Sequence, residues 1–188
     1  MTAGLPADLT GRVVIVTGGA TGIGKEVTIA LASRKATVVI ASKDIDMMEQ
    51  TVACINQQNP EARVEYMVLN LASFGSIQGF VKKFTNSYSQ LDILINNAGV
   101  MLTPYSLTEE GYEQHMGVNY LGHGLLTFLL LDTLQKSGSP ATCARIINVT
   151  SSTHLVADTY IHTWFDSKPY SFSSHEAYAN SKLAILMS

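Results

Sequence analysis

The sequence predicts an α/β protein built on a doubly wound parallel sheet. Two observations support this prediction. Short apolar runs alternate with stretches of helical periodicity along the chain, as is typical of parallel strands joined by crossover helices. The runs are apolar at successive positions rather than at every second one, as expected when helices cover both faces of a sheet.

Five short apolar runs predict strands, in chain order at 12–19 (RVVIVTGG), 36–42 (ATVVIAS), 64–71 (VEYMVLNL), 91–99 (LDILINNAG) and 144–152 (ARIINVTSS). The stretches between them space their apolar residues three or four positions apart, which predicts helices at 24–35, 44–59, 74–88 and 108–134, the last interrupted near Gly117. A further helix is expected from Ala177 onward. The segment from Ser152 to Ser174 breaks the alternation, and its aromatic residues argue against disorder.

Length and composition exclude several classes of protein. The 188 residues suit a single domain, and 46% hydrophobic with 14% charged residues indicates a globular chain. A net charge of −3 without a basic cluster excludes a nucleic-acid partner. Cys54 and Cys143 have no metal-type spacing. We see no signal peptide and no transmembrane segment, so we expect a protein that is cytoplasmic or peripheral to an intracellular membrane.

The turn TGGATGIG follows the first predicted strand and opens the first helix. Gly18 would permit a sharp turn, Gly22 would leave room for a pyrophosphate, and Gly24 would let helix and strand pack closely. The helix N-terminus would then offer N–H groups and a positive dipole end to the phosphates. In this strand–turn–helix context the glycines predict a dinucleotide-binding, Rossmann-like fold.

The end of the second strand should choose between the two nicotinamide cofactors. An acid at this place favours NAD, and a basic residue accommodates the 2′-phosphate of NADP. Ser42 stands where we expect the acid, and Lys43 follows it. Asp44 is the competing candidate for the ribose contact. The pattern favours NADP(H) over NAD(H).

Tyr178 and Lys182 are four residues apart, so a helix would place them on one face. A nearby ammonium stabilises a phenolate, and such a tyrosine can exchange a proton with an alcohol or carbonyl while a nicotinamide exchanges hydride. A serine at the end of the fifth strand, Ser151 or Ser152, would lie beside the cofactor and could hold the same oxygen.

Together the motifs TGGATGIG, NNAG, VNYLGH, NVTSS and YANSK resemble those of the short-chain dehydrogenase/reductase family over nearly the whole chain, and within it the retinol-dehydrogenase-like branch. The resemblance implies a catalytic set of Asn119, Ser151, Tyr178 and Lys182. It implies cofactor contacts from Thr17, Gly18, Ala20, Thr21, Gly22, Ile23, Gly24, Ser42, Lys43, Asn70, Leu71, Asn97, Ala98, Gly99, Tyr178 and Lys182. It also implies a lipophilic alcohol or aldehyde as substrate and a homodimer.

The chain departs from the family pattern at several places. Asn70 replaces the usual aspartate near adenine, and Lys35 replaces a glycine after the first helix, at a cost if its φ is positive. The aromatic segment 153–174 lengthens the chain between Ser151 and Tyr178, and we interpret it as either a lipophilic substrate entrance or a structural flap. His154 and His162 are expected to make local polar contacts.

Length is the largest departure. Family members continue beyond the Tyr-Lys helix, so we expect a sheet truncated after that helix and a domain, 1–188, that is incomplete at its C-terminus. The main hypothesis is an NADP(H)-dependent oxidoreductase. The alternative is a catalytically inactive dinucleotide-binding fragment with a regulatory or interaction role.

Overall fold

The sheet has five strands in a computed structural model that describes residues 8–139, 142–158, 164–165 and 169–188. The strands are β1 (Val13–Thr17), β2 (Thr37–Ser42), β3 (Arg63–Val68), β4 (Ile93–Asn96) and β5 (Arg145–Asn148). Their order is β3-β2-β1-β4-β5, and β1 pairs in parallel with both β2 and β4. The chain therefore winds outward in both directions from β1, which confirms the predicted doubly wound sheet. Ligands of such sheets bind where the winding reverses, at the carboxyl ends of the strands.

The helices are α1 (Gly22–Ala32), α2 (Ile45–Gln58), α3 (Phe74–Ser87), α4 (His123–Ser137) and α5 (Ser174–Leu186). Side chains determine where two of them begin. Asp44 accepts a hydrogen bond from the Met47 amide at 3.0 Å and caps α2. Ser173 accepts one from the Glu176 amide at 3.3 Å, so α5 begins before the predicted Ala177.

The predicted helix 108–134 is wrong in its first part. The chain turns back there, because Gly111 has φ 85 and the Thr108 amide donates to the Tyr112 carbonyl at 2.8 Å. A π-helical segment, Met116–Gly122, follows and leads into α4. The interruption expected near Gly117 is thus a change of helix type, and π-helical turns often mark functional sites.

The chain divides into two compact units, each with its own buried residues. The first comprises the described part of Met1–Leu69 together with Lys83–Ala98 and Leu131–Ile147. Its interior includes Val14, Ile15, Ile40, Phe84 and Leu94. The second comprises Asn70–Lys82, Gly99–Leu130 and the described part of Asn148–Ser188. Met116, Trp164 and Ala184 form a buried cluster in it, flanked by Tyr120 and Leu183.

The sequence predicts that all five strands are covered on both faces, but the two outer strands, β3 and β5, are partly or wholly exposed. All four residues of β5 are exposed, including Ile146 at 42% and Ile147 at 43%. In β3 exposed and less exposed positions alternate. Both strands lie at the ends of the sheet order and have a strand neighbour on one side only, so fewer neighbouring groups cover them. Among the described helices, none combines the length and apolarity needed to cross a bilayer.

Candidate active site

The glycine turn forms an open cradle in the first unit. The Gly18 amide still donates to the Ala41 carbonyl of β2 at 2.8 Å, and the positive φ of Gly18, 63, turns the chain sharply as β1 ends. A side chain on Gly24 would overlap the Gly18 carbonyl oxygen, which shows how closely helix and turn approach. Nothing lies within 4 Å of the position that a Cβ on Gly22 would take, so the space in front of it is open.

The N-terminus of α1 faces this open space. Thr21 is the N-cap residue, and its side chain makes no capping hydrogen bond. Thr21, Gly22 and Ile23 are exposed, and the first turn carries no acidic residue. The N–H groups and positive dipole end of the helix are therefore presented to an anion. The buried Ala20 anchors the turn, since its carbonyl accepts a hydrogen bond from Thr51 Oγ1 at 2.9 Å.

Thr17 and Asn97 join the ends of β1 and β4. The Thr17 hydroxyl accepts hydrogen bonds from the amides of Asn97 and Ala98, each at 2.9 Å. The Asn97 side-chain amide donates to the Thr17 carbonyl at 2.9 Å. These three predicted cofactor residues hold the base of the cradle in place, and a pyrophosphate fits the donors and the open space above it.

The end of β2 carries the residues expected to distinguish the cofactors. Asp44 uses its carboxylate to cap α2, and the Asp44 amide donates to Ser42 Oγ at 3.4 Å. Lys43, between them, is exposed. Two charged side chains therefore lie at this strand end: the Asp44 carboxylate caps α2, and the Lys43 ammonium does not.

Asn70 and Leu71 belong to the second unit. Asn70 Oδ1 accepts a hydrogen bond from the Ala72 amide at 3.1 Å, which closes a local turn. Leu71 is buried, and its carbonyl oxygen lies where a side chain on Gly122 would stand. Asn70 therefore shapes the backbone here in addition to any contact it makes with a ligand.

Tyr178 and Lys182 lie one turn apart on α5. Lys182 Nζ is 5.7 Å from the centre of the Tyr178 ring and donates to the Val149 carbonyl at 3.0 Å. Lys182 is only 4% exposed, and this burial lowers the pKa of its ammonium below the ordinary value. An ammonium has three N–H groups, so the group held by Val149 leaves donors for the hydroxyls of a ligand.

Asn119 connects the π-helical segment to α5 and to the chain after β4. Its Oδ1 accepts a hydrogen bond from the Val100 amide at 2.8 Å, and its Nδ2 donates to Ser181 Oγ at 2.9 Å. Ser181 in turn donates to the Tyr178 carbonyl at 2.7 Å. A side chain on Gly99 would lie 3.2 Å from Asn119 Oδ1, so glycine permits this close packing. Asn119 thus holds the helical turn that carries Tyr178.

His123 follows Asn119 by four residues and was not among the predicted site residues. It is buried, and its Nδ1 lies 2.9 Å from the Asn119 carbonyl oxygen. Burial lowers the pKa of His123 to about 4, with a smaller contribution from the positive charge of Lys182. The ring is therefore neutral at physiological pH, with Nδ1 donating to Asn119.

Ser151 begins the 3-10 helix Ser152–Val156, and its Oγ accepts a hydrogen bond from the Thr153 amide at 3.3 Å. This short helix packs against α5, as does the π-helical segment. His154 bonds to the Ser151 carbonyl through Nδ1 at 2.6 Å, a local polar contact as expected. His162 and Tyr160 of the aromatic segment lie outside the described residues.

The structure therefore links Asn119 through Ser181 to the backbone of Tyr178 by hydrogen bonds and places Lys182 beside the Tyr178 ring, with Ser151 at the start of a short helix packed against α5. The sequence reasoning missed two further residues there, Glu113 and His115. His115 is fully buried, and its ring lies 6.3 Å from that of Tyr178. The signal that could have found them is an acid and a histidine two positions apart just before Asn119.

The chain resembles known proteins across nearly its whole length. The model of the family described as short chain dehydrogenase matches residues 12–164. Human polyprenol dehydrogenase is 46% identical over 94% of this chain and 53% of its own length. Human retinol dehydrogenase 12 is 44% identical over 94% of this chain and 54% of its own length. The chain thus spans about half the length of these curated relatives.

A solved structure shows the same fold. The structure described as the Pseudomonas aeruginosa RhlG/NADP active-site complex aligns with a TM-score of 0.76 and 25% identity. The alignment covers 96% of this chain and 65% of that one.

Proposed function

The chain belongs to the short-chain dehydrogenase family, and on that premise we propose that the protein is an NADP(H)-dependent oxidoreductase that interconverts a lipophilic alcohol and its aldehyde or ketone. The observation that carries the proposal is the buried ammonium of Lys182, 5.7 Å from the centre of the Tyr178 ring. A surface polar pair would not be buried, since exposed lysines normally keep their ammonium in water.

Each residue of the site has a role in this proposal. Tyr178 donates a proton to the substrate oxygen during reduction and accepts one during oxidation. The positive charge of Lys182 stabilises the negative charge that develops on the phenol oxygen. Ser151 offers a hydroxyl to the same substrate oxygen, and Asn119 holds the turn that carries Tyr178. The nicotinamide cofactor, when bound, supplies the hydride transfer.

Each unit of the chain carries some of the proposed cofactor contacts. In the first unit, α1 and its turn would hold the pyrophosphate, and Lys43 would pair with the 2′-phosphate of NADP. In the second unit, Lys182 would donate to ribose hydroxyls. The capping role of Asp44 supports NADP(H), because this carboxylate already accepts a hydrogen bond from α2. The NADP complex of the Pseudomonas aeruginosa relative is a further argument.

The substrate class rests on the relatives. Their names specify a polyprenol and retinol, both lipophilic alcohols. In the aromatic segment of this chain Tyr170 is 89% and Phe165 is 51% exposed, which suits contact with an apolar molecule. We extend the proposal to a protein that acts in the cytoplasm or at the surface of an intracellular membrane, and to a homodimer that sedimentation would detect.

A turnover assay tests the proposal. The purified chain is mixed with NADPH and retinal, and oxidation of NADPH is followed by its absorbance. NADH replaces NADPH in one control, and acetaldehyde replaces retinal in another. The proposal expects turnover that is faster with NADPH and with the lipophilic aldehyde. The proposal would be refuted, and an inactive dinucleotide-binding protein favoured, if the chain binds NADPH but neither reduces retinal with NADPH nor oxidises retinol or a polyprenol with NADP+.

A further inference from the structure

Glu113 and His115 form a buried polar pair in the second unit. Glu113 is 6% exposed and His115 is fully buried, and Glu113 Oε1 lies 2.6 Å from His115 Nδ1. The proposed reaction uses neither residue directly. Burying a carboxylate and an imidazole is costly unless both are hydrogen-bonded, and an apolar pair would fill the same volume at lower cost. The pair therefore calls for a role beyond packing.

The carboxylate of Glu113 caps the π-helical segment. Its second oxygen, Oε2, accepts hydrogen bonds from the amides of His115 at 2.9 Å and Met116 at 3.1 Å. Burial by itself would raise the pKa of Glu113, but the hydrogen bonds from His115 and from the two amides outweigh it and lower the pKa. Glu113 is therefore ionised at neutral pH and acts only as an acceptor.

These contacts determine which nitrogen of His115 carries the proton. An ionised carboxylate only accepts, so Nδ1 must donate to Glu113. The Thr103 amide, which can only donate, lies 3.4 Å from Nε2. Nε2 is therefore the accepting nitrogen, and both ring nitrogens are engaged within the described residues. Such a ring is held in a fixed orientation, and neither nitrogen is free to exchange a proton with a substrate.

The fixed ring contacts Tyr178. The His115 and Tyr178 rings meet edge to face, with centres 6.3 Å apart and planes at 71°. On another side, Phe172 of the aromatic segment lies 6.2 Å from His115. Tyr105 packs edge-on against Phe172 at 5.3 Å. The Tyr178 ring thus has His115 as an aromatic neighbour and the Lys182 ammonium 5.7 Å from its centre.

We propose that Glu113 and His115 are a positioning pair that holds the Tyr178 ring in its reactive orientation. The proposal rests on the function proposed above for Tyr178. Glu113 fixes the tautomer and angle of the imidazole, and the imidazole ring limits rotation of the phenol ring. Because a reacting group displaced by about 1 Å can cost about a hundredfold in rate, loss of the pair should lower kcat and leave KM nearly unchanged.

Two variants test the pair. His115→Leu removes the aromatic ring beside Tyr178 and leaves an apolar side chain in its place. Glu113→Gln keeps the shape, but its amide NH₂ must face a donor at one of the two positions where Glu113 now accepts. The matched controls are His175→Leu, at an exposed position of α5, and Glu61→Gln, at an exposed position after α2.

The first readout needs neither cofactor nor substrate. The tyrosine rings are labelled with ¹³C, and the Tyr178 signal is identified by its loss in Tyr178→Phe. We expect this signal to move toward the position of a solvent-exposed tyrosine in both test variants and to stay in place in both controls. If His115→Leu fails to fold, Glu113→Gln decides the outcome, because its shape is nearly that of the native side chain.

The second readout is steady-state turnover of retinal with NADPH. We expect kcat to fall at least about tenfold in each test variant, with KM changed less than about twofold. An unmoved Tyr178 signal, or an unchanged kcat despite a moved signal, would overturn the positioning role. If the wild-type chain itself does not turn over, the proposed function fails, and the Tyr178 signal alone decides whether the pair orients the ring.

Discussion

Lys182 Nζ lies 5.7 Å from the centre of the Tyr178 ring and donates a hydrogen bond to the Val149 carbonyl at 3.0 Å. The two residues lie one turn apart on α5, in the unit that also contains Asn119. Only 4% of Lys182 is exposed, so its charge acts on neighbouring groups with little screening by water. Five predictions follow from this site and, in the first unit, from the glycine turn, Lys35 and Lys43.

Lys43 should determine the choice of cofactor. A hydrogen bond from a charged group is worth about 1.5–3 kcal/mol, so Lys43→Ala should weaken NADPH binding roughly tenfold or more and leave NADH binding nearly unchanged. Fluorescence titration of both cofactors measures the ratio. Lys83→Ala, at an exposed position of α3, is the control and should change neither affinity. A wild-type chain that prefers NADH would contradict the prediction.

The two glycines of the turn should fail in different ways. A side chain on Gly24 would overlap the Gly18 carbonyl oxygen, so Gly24→Ala should lower the free energy of unfolding by about 1–3 kcal/mol or more. Gly22 has φ 50 and open space around it, so Gly22→Ala should cost only about 1–2 kcal/mol. Its new methyl group would instead obstruct the pyrophosphate and weaken NADPH binding.

Urea denaturation and NADPH titration separate these two effects. Gly79→Ala, at an exposed position in α3, is the control and should slightly stabilise the chain without changing affinity. Unchanged NADPH affinity in Gly22→Ala would show that the pyrophosphate does not approach this turn.

The positive φ of Lys35 should cost stability. Its φ is 68, a left-handed conformation that disfavours any residue with a Cβ. Lys35→Gly should therefore raise the free energy of unfolding by roughly 0.5–1 kcal/mol. Lys83→Gly places the same substitution inside α3 and should lower it by about 1 kcal/mol. If both variants lose stability equally in urea, the backbone at Lys35 is not strained.

Acid should destabilise the protein through His123. Burial lowers the pKa of this histidine from 6.5 to about 4, so the unfolded chain binds a proton that the folded chain does not. The free energy of unfolding is then fully retained above pH 6.5 and falls as the pH drops toward 4. The loss should reach roughly 2 kcal/mol between pH 7 and pH 5.

Urea denaturation at several pH values measures this loss. The pKa of Glu113 is lowered from 4.5, so its contribution to the free energy of unfolding is lost only below this pH range. His123→Gln should remove most of the slope between pH 7 and pH 5, whereas His175→Gln, at an exposed position, should retain it. An equal slope in both variants would contradict the role of His123.

The parts of the site that could be predicted from sequence are those with local chemistry. A glycine with positive φ is required wherever a strand turns sharply into a helix, so Gly18 and Gly22 are recognisable by position. The spacing of Tyr178 and Lys182 places them on one helix face without any tertiary information. Lys35 is recognisable because a glycine usually ends a helix at this place.

The parts that could not be predicted depend on distant contacts. Glu113 and His115 are two residues apart in a stretch that resembles the start of a helix, and their role emerges only where His115 meets Tyr178. The same stretch turns back at Gly111 because Thr108 and Tyr112 bond across the turn. The exposure of Ile146 and Ile147 reflects the place of β5 at the end of the sheet, which its apolar sequence does not reveal.

The most direct test of the proposed chemistry is turnover by Tyr178→Phe, which removes one oxygen atom and keeps the ring against His115 and Lys182. With retinal and NADPH, kcat should fall by about 10²–10⁴-fold, the usual cost of losing a general acid or base, while NADPH affinity stays within about twofold of the wild type. Unchanged turnover in Tyr178→Phe would contradict the assignment of Tyr178 as the proton donor and acceptor.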